Sequence, residues 1–108
     1  MLTKIKLDFT ESEKFALIRS LIEYRSIVME QGFYPDPVDE VLEKADRMRW
    51  RRGMYRFKGD NYDLDVIFQA LYQYCCKLED HNESSEVAEG AVMKAAYLLD
   101  KIGELKIA

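Results

Sequence analysis

Residues 47–59 read RMRWRRGMYRFKG, and the rest of the chain is organised around this segment. It holds six of the sixteen Lys and Arg residues, no acidic residue, and the only Trp of the chain. Because the segment carries +6 and the whole chain −4, the remaining residues sum to −10. This asymmetry argues against a uniformly basic nucleic-acid-binding protein and favours a local basic surface.

The length and composition predict a single domain, residues 1–108, with one hydrophobic core. A chain of 108 residues with 48% apolar and 33% charged residues is typical of a folded domain. No signal peptide and no apolar run long enough to span a bilayer can be recognised in the sequence. We therefore expect a soluble, cytoplasmic protein that does not enter a membrane.

Hydrophobic periodicity on both sides of the basic segment predicts a mainly α fold. The expected domain has four helices in two similar helical hairpins, each hairpin following a short strand. The strands are expected at 2–9 and 53–59, where apolar and polar residues alternate. The helices are expected at 11–31, 37–52, 61–80 and 86–102.

The first helix has apolar residues on two stripes, so it is expected to contact two neighbouring elements. One stripe consists of Phe15, Ile18, Ile22 and Met29, and the other of Leu17, Leu21, Tyr24 and Val28. Arg25 lies between the stripes and is either paired in the interior or extended to the surface.

A shift of the chain by 50 residues superposes the two halves by residue class. Ile5-Lys6-Leu7 falls on Tyr55-Arg56-Phe57, and the predicted helix cap Thr10 falls on Asp60. The sequence therefore predicts pseudo-repeats at 1–50 and 51–103, although two unrelated hairpins of similar length would also align in this way.

The N-terminal half, through FTESEKFALIRSLIEYRS (9–26) and DPVDEVLEKA (36–45), resembles small uncharacterised proteins of bacterial plasmids, phages and conjugative elements. The resemblance covers about the first 50 residues and implies no activity and no functional residues. It implies an accessory protein, such as a regulator or inhibitor of host machinery. The expected partner is then a protein of the host or of the mobile element.

Catalytic, cofactor and metal sites are not predicted. The single His81 has no nucleophile patterned beside it, and the adjacent Cys75 and Cys76 diverge on a helix. No spaced set of metal ligands and no phosphate-binding glycine motif occurs. We therefore expect a protein that is not an enzyme and needs no cofactor.

The favoured functional hypothesis is protein–protein binding. Trp50, Met93 and Tyr97 lie off the core stripes of their helices, and Tyr55 alternates out of the basic segment. Exposed aromatic and Met side chains are typical anchors of protein interfaces. Self-association as a symmetric dimer is the simplest form of this hypothesis.

The alternative, less favoured hypothesis is nucleic-acid binding through residues 47–58. Cationic side chains would contact phosphates, and Trp50, Tyr55 and Phe57 would stack on unpaired bases. The expected phosphate contacts are Arg47, Arg51, Arg52, Arg56 and Lys58. A structural interpretation remains open, in which arginines at the end of the second helix stabilise its negative dipole end.

Overall fold

The computed structural model describes residues 2–103 and places four helices on one side of a small antiparallel sheet. The prediction of a mainly helical chain with four helices is confirmed. In chain order, the elements are β1 (Lys4–Phe9), α1 (Glu11–Glu30), α2 (Asp36–Asp46), β2 (Arg49–Arg51), β3 (Met54–Asp60), α3 (Asn61–Asp80) and α4 (Glu86–Lys101).

Two capping boxes fix the starts of α1 and α3 directly after their strands. The Glu13 N–H donates to the Thr10 hydroxyl at 3.1 Å, and the Thr10 N–H donates to the Glu13 carboxylate at 2.8 Å. Asp60 and Asp63 exchange the same two bonds at the start of α3. Each box satisfies backbone donors that a helix leaves unpaired at its N-terminus.

Both capping carboxylates are buried, and each is neutralised by a lysine from another helix. The Lys94 ammonium on α4 donates to Glu13 Oε1 at 2.6 Å and to the Asp8 carbonyl at 3.0 Å. The Lys44 ammonium on α2 donates to Asp63 Oδ2 at 2.5 Å. Since a buried carboxylate without a partner is costly, these pairs join α4 to α1 and α2 to α3.

The sheet has the order β1-β3-β2 and buries one of its two sides against the helices. Leu7 lies directly opposite Phe57, and both side chains are buried. The helices contribute fully buried apolar residues to the same hydrophobic core. These are chiefly Leu17, Leu21, Val41, Leu64, Ile67, Leu71 and Ala95.

The prediction that the second helix reaches Arg52 is wrong. α2 ends at Asp46, and Arg49–Arg51 forms β2, which pairs with β3 in a hairpin. The turn of this hairpin is Arg52-Gly53, with φ of 54° and 83°, and both positive values match a two-residue type I′ turn. Arg49, Arg51 and Arg52 therefore do not stabilise a helix end.

One of the two apolar stripes on α1 is mostly uncovered within residues 2–103, although its member Ile18 packs partly buried against the core. Leu17 and Leu21 are fully buried, whereas Phe15, Ile22 and Met29 keep 70%, 55% and 49% of their surface exposed. Between the stripes, Arg25 bonds to Asp39 at 2.6 Å in a half-exposed ion pair, so the charge is paired without deep burial.

Candidate functional site

The side of the sheet that faces away from the helices is rich in cations. Along β1 the side chains of Ile5, Leu7 and Phe9 are buried, while Lys4 and Lys6 between them are exposed. Successive residues of a strand point to opposite sides of a sheet. The lysines therefore lie on the uncovered side of the sheet.

The strand register extends this surface across all three strands. Lys6 lies directly opposite Lys58, Asp8 lies opposite Arg56, and Arg56 also lies opposite Arg49 of β2. Directly opposite residues share one side of the sheet. We define the cationic sheet face by its six members, Lys4, Lys6, Arg49, Arg51, Arg56 and Lys58.

Few of these charges are compensated. Asp8 accepts two bonds from the Arg56 guanidinium, at 2.8 and 3.1 Å, and this hydrogen bonding and charge lower the pKa of Asp8 despite a smaller opposing effect of burial. The other carboxylate on this side, Asp60, caps α3. Within residues 2–103, the five remaining cations of the face form no ion pair.

The hairpin turn adds a further cation at the edge of the face. Arg52 adopts a φ of 54°, a left-handed conformation that Asn or Gly adopts more readily. It lines a cavity of about 370 Å³ together with Asp8, Arg51, Met54 and Arg56. A strained arginine at an exposed turn is a feature that often accompanies function.

A larger groove of about 550 Å³ runs beside the face, between the end of α2 and the strands. Trp50 is the single aromatic side chain in its lining, and the other lining residues are Lys44, Arg47, Arg49, Arg51, Arg56 and Lys58. The pKa of Lys44 is raised, mainly by its hydrogen bond to Asp63. Arg47 pairs with Glu43 on the exposed rim at 3.1 Å. The groove therefore suits an extended anion.

The aromatic residues proposed as protein anchors do not form one surface. Trp50 is 55% exposed and meets the Tyr55 ring edge-on at 4.9 Å, and the Lys14 ammonium lies 4.1 Å from the centre of that ring. Met93 and Tyr97 are 71% and 70% exposed on α4. Since α4 contacts β1 but neither β2 nor β3, the two pairs remain separate.

The residues proposed for phosphate contact do lie together. Arg51, Arg56 and Lys58 lie on the cationic sheet face, while Arg52 lies in the turn and Arg47 on the groove rim. The proposed stacking of Phe57 on a base is wrong, because its side chain is completely buried.

Sequence reasoning missed Lys4 and Lys6 as members of this surface. Their alternation with Ile5 and Leu7 was the available signal. That alternation assigned the lysines to the exposed side of a strand, but it did not identify β3 as the neighbouring strand.

The described part of the chain holds no clustered metal ligands, and one of its two thiols is buried. Residues 2–103 contain no group of three or more His, Cys, Asp or Glu side chains placed to hold a metal ion. Burial, with smaller contributions from nearby carboxylates, raises the pKa of the buried Cys75 to about 11. A thiol of that kind is a poor nucleophile at neutral pH.

Comparison of the chain with known protein families, with curated proteins and with solved structures finds no match. Among residues 2–103, none of the four helices has the length and apolar character needed to cross a bilayer.

Proposed function

We propose that this chain is a non-enzymatic binding protein whose cationic sheet face contacts the phosphate backbone of a nucleic acid. The observation that carries the proposal is the set of five cations on this face without an ion-pair partner among residues 2–103. Lys and Arg side chains that neutralise phosphates release condensed counterions, which provides sequence-independent affinity.

The arrangement of the face supports an anionic ligand because it is unfavourable without one. Lys6 opposes Lys58, and neither lysine has an ion-pair partner within residues 2–103. Arg49 opposes Arg56, whose charge is paired with Asp8. Like charges directly opposite each other on a sheet are destabilising. A polyanion lying across the strands would convert this repulsion into attraction.

The contacts available on this face predict binding that is independent of base sequence. No aromatic side chain belongs to the cationic sheet face, and Trp50 and Tyr55, which pair across the hairpin, point to its other side. Phosphate contacts position a protein on nucleic acid, whereas base contacts specify a sequence. Trp50, on the edge strand β2, lines the groove beside this face and is the single aromatic side chain of that groove.

The role suggested by the resemblance of the N-terminal half remains part of the proposal. A small accessory protein of a bacterial mobile element could act on the host by occupying its nucleic acid. An acidic surface of a host protein is the competing ligand for the same face, and the exposed Trp50, Met93 and Tyr97 would favour it. Because Met93 and Tyr97 lie apart from Trp50 on the fold, these residues do not form one protein-binding surface, and we favour the nucleic acid as the ligand.

We also propose that the fold consists of two similar strand–helix–helix halves. In support, α1 and α3 begin 50 residues apart, as do α2 and α4. The two lysines that form ion pairs with the capping carboxylates, Lys44 and Lys94, are also 50 residues apart. A loss of stability in both Lys44→Met and Lys94→Met would support equivalent halves, and a loss in only one of the two variants would contradict them.

Nucleic-acid binding is tested by fluorescence anisotropy with labelled duplex and single-stranded oligonucleotides of unrelated sequences. The variant Lys6→Gln/Lys58→Gln removes one opposed pair of charges and keeps side-chain length. If both lysines contact phosphates, the slope of log affinity against log salt should fall by about 1.8 for duplex or about 1.4 for a single strand.

The matched control is Arg25→Gln/Lys101→Gln, which removes two cations from helices. We expect its affinity and its salt slope to stay close to those of the parent protein. No measurable binding to either oligonucleotide at about 50 mM salt would refute the proposal. If the two variants weaken binding equally, the affinity depends on the net charge of the protein and not on the cationic sheet face.

A further inference from the structure

The outward side of α1 carries an apolar surface that the fold does not use. Phe15, Ile22 and Met29 are spaced seven residues apart, so they lie along one line of the helix, and all three are exposed. We define them as the α1 stripe. The core residues Leu17 and Leu21 lie on the other side of the same helix and are fully buried, so the monomer does not need the stripe for its core.

The stripe continues into two depressions on either side of Phe15. One has a volume of about 460 Å³ and is lined by Phe15, Ile18, Arg19, Ile22 and Glu23. The other, of about 440 Å³, lies between α1, the end of α3 and the start of α4, where Leu78 and the exposed Val87 face Phe15. A large exposed ring between two mainly apolar depressions is typical of a protein interface.

We propose that the α1 stripe is the interface at which two copies of this chain associate in antiparallel orientation. In a two-fold dimer the same patch must fit itself. The stripe meets this condition, because a two-fold axis at Ile22 places Ile22 against Ile22 of the copy and Phe15 against Met29 of the copy. Phe15 of each copy then inserts beside the partner helix.

The stripe itself carries no charge that would oppose a second copy. Beside it, Arg19 is exposed, and Glu23 is already paired with Lys77 of α3 within the same chain. The cationic sheet face, by contrast, would repel a second cationic sheet face. The α1 stripe is therefore the surface of the two that favours association of two copies.

The inference is independent of nucleic-acid binding, since the α1 stripe shares no residue with the cationic sheet face. Association can be measured without nucleic acid by sedimentation equilibrium over a wide concentration range. We expect the parent protein to reach twice its monomer mass of 12.7 kDa. A monomer mass at every concentration up to about 200 µM would overturn the proposal, because a stable interface binds more tightly than that.

The variant Phe15→Gln/Ile22→Gln removes two anchors that are exposed in the monomer, so the monomer fold should be retained. We expect the dissociation constant of the dimer to rise at least about 30-fold, the effect of losing one strong anchor. The matched control Met93→Gln/Tyr97→Gln changes two equally exposed residues on α4, and it should dimerise like the parent. Equal dimerisation of both variants would refute an interface at the α1 stripe.

A cross-link tests the two-fold axis directly. With the exposed Cys76 replaced by Ser, Ile22→Cys should form a disulfide between two chains under mild oxidation, because the two copies of residue 22 face each other. Met93→Cys in the same background should dimerise like the parent but form no disulfide between the chains. A failure of Ile22→Cys to cross-link at a concentration where the parent is dimeric would place the interface elsewhere.

Discussion

The opposed lysines of the sheet make an unusual prediction, namely that the loss of one charge stabilises the fold while it weakens binding. Lys58→Gln removes the cation that lies directly opposite Lys6 and leaves the length of the side chain almost unchanged. Lys58 is exposed and forms no ion pair within residues 2–103. The substitution therefore removes repulsion and no favourable contact.

The expected gain follows from the spacing of the two charges. Two unit charges ~6 Å apart in water repel each other by about 0.7 kcal/mol. Screening reduces this to about 0.3 kcal/mol at 0.15 M salt and to about 0.6 kcal/mol at 0.01 M salt. For a domain of this size, the melting temperature should rise by roughly 1–2 °C at the higher salt concentration and by about twice as much at the lower one.

Differential scanning calorimetry at both salt concentrations measures this gain, and Lys101→Gln provides a control of opposite sign. Lys101 lies in the last turn of α4, where a cation is favourable, so its loss should cost about 0.3–1 kcal/mol at low salt. A lower melting temperature for Lys58→Gln at low salt would refute the electrostatic argument. It would show that Lys58 takes part in the fold, in which case its position would no longer indicate a ligand.

Three further predictions concern the fold. Leu71→Ala empties a fully buried position and should cost roughly 2–5 kcal/mol in chemical denaturation, and an unchanged midpoint would contradict its place in the core. Gly59→Ala adds a methyl group against the Asp63 carboxylate and 2.8 Å from a carbon of the Phe57 ring, so we expect a loss of about 1–3 kcal/mol, whereas parent-like stability would show that the capping box can move. Because Arg56 lowers the pKa of Asp8 below 3.8, the stability that this carboxylate adds is present above pH 3.8 and is lost as the pH falls through its folded value. The difference in stability between the parent and Asp8→Asn should therefore be constant near pH 7 and change as the pH falls below 3.8, and a difference that stays constant throughout the acid range would contradict this linkage.

Local signals predicted the helices well. Capping residues and apolar spacing located α1, α3 and α4 to within one residue of each end. The hairpin strand β2 was missed, because a three-residue strand is defined by its partner rather than by its own periodicity. The residues of β2, Arg-Trp-Arg, are as compatible with a continuation of α2 as with a strand. The Arg52-Gly53 turn became recognisable only once β2 and β3 were seen to pair.

The two apolar stripes of α1 show a second limit of sequence reasoning. Phe15 and Ile22 are as apolar as Leu17 and Leu21, so periodicity finds both stripes but cannot say which one the other helices cover. The cationic sheet face was found only in part for a related reason. Its C-terminal members stand together in the sequence, whereas Lys6 joins Lys58 through a strand pairing that spans about half the chain.

The ion pair between Lys94 and Glu13 has a consequence for synthesis on the ribosome. Glu13 completes the capping box of α1, yet its neutralising lysine is translated 81 residues later. At about 5–20 residues per second, the nascent chain waits about 4–16 s with that carboxylate unneutralised. During this interval Ile5, Leu7 and Phe9 also lack the neighbouring strand β3 for much of the time. β1 therefore reaches its final environment only after α4, which contacts it and carries Lys94, has been translated.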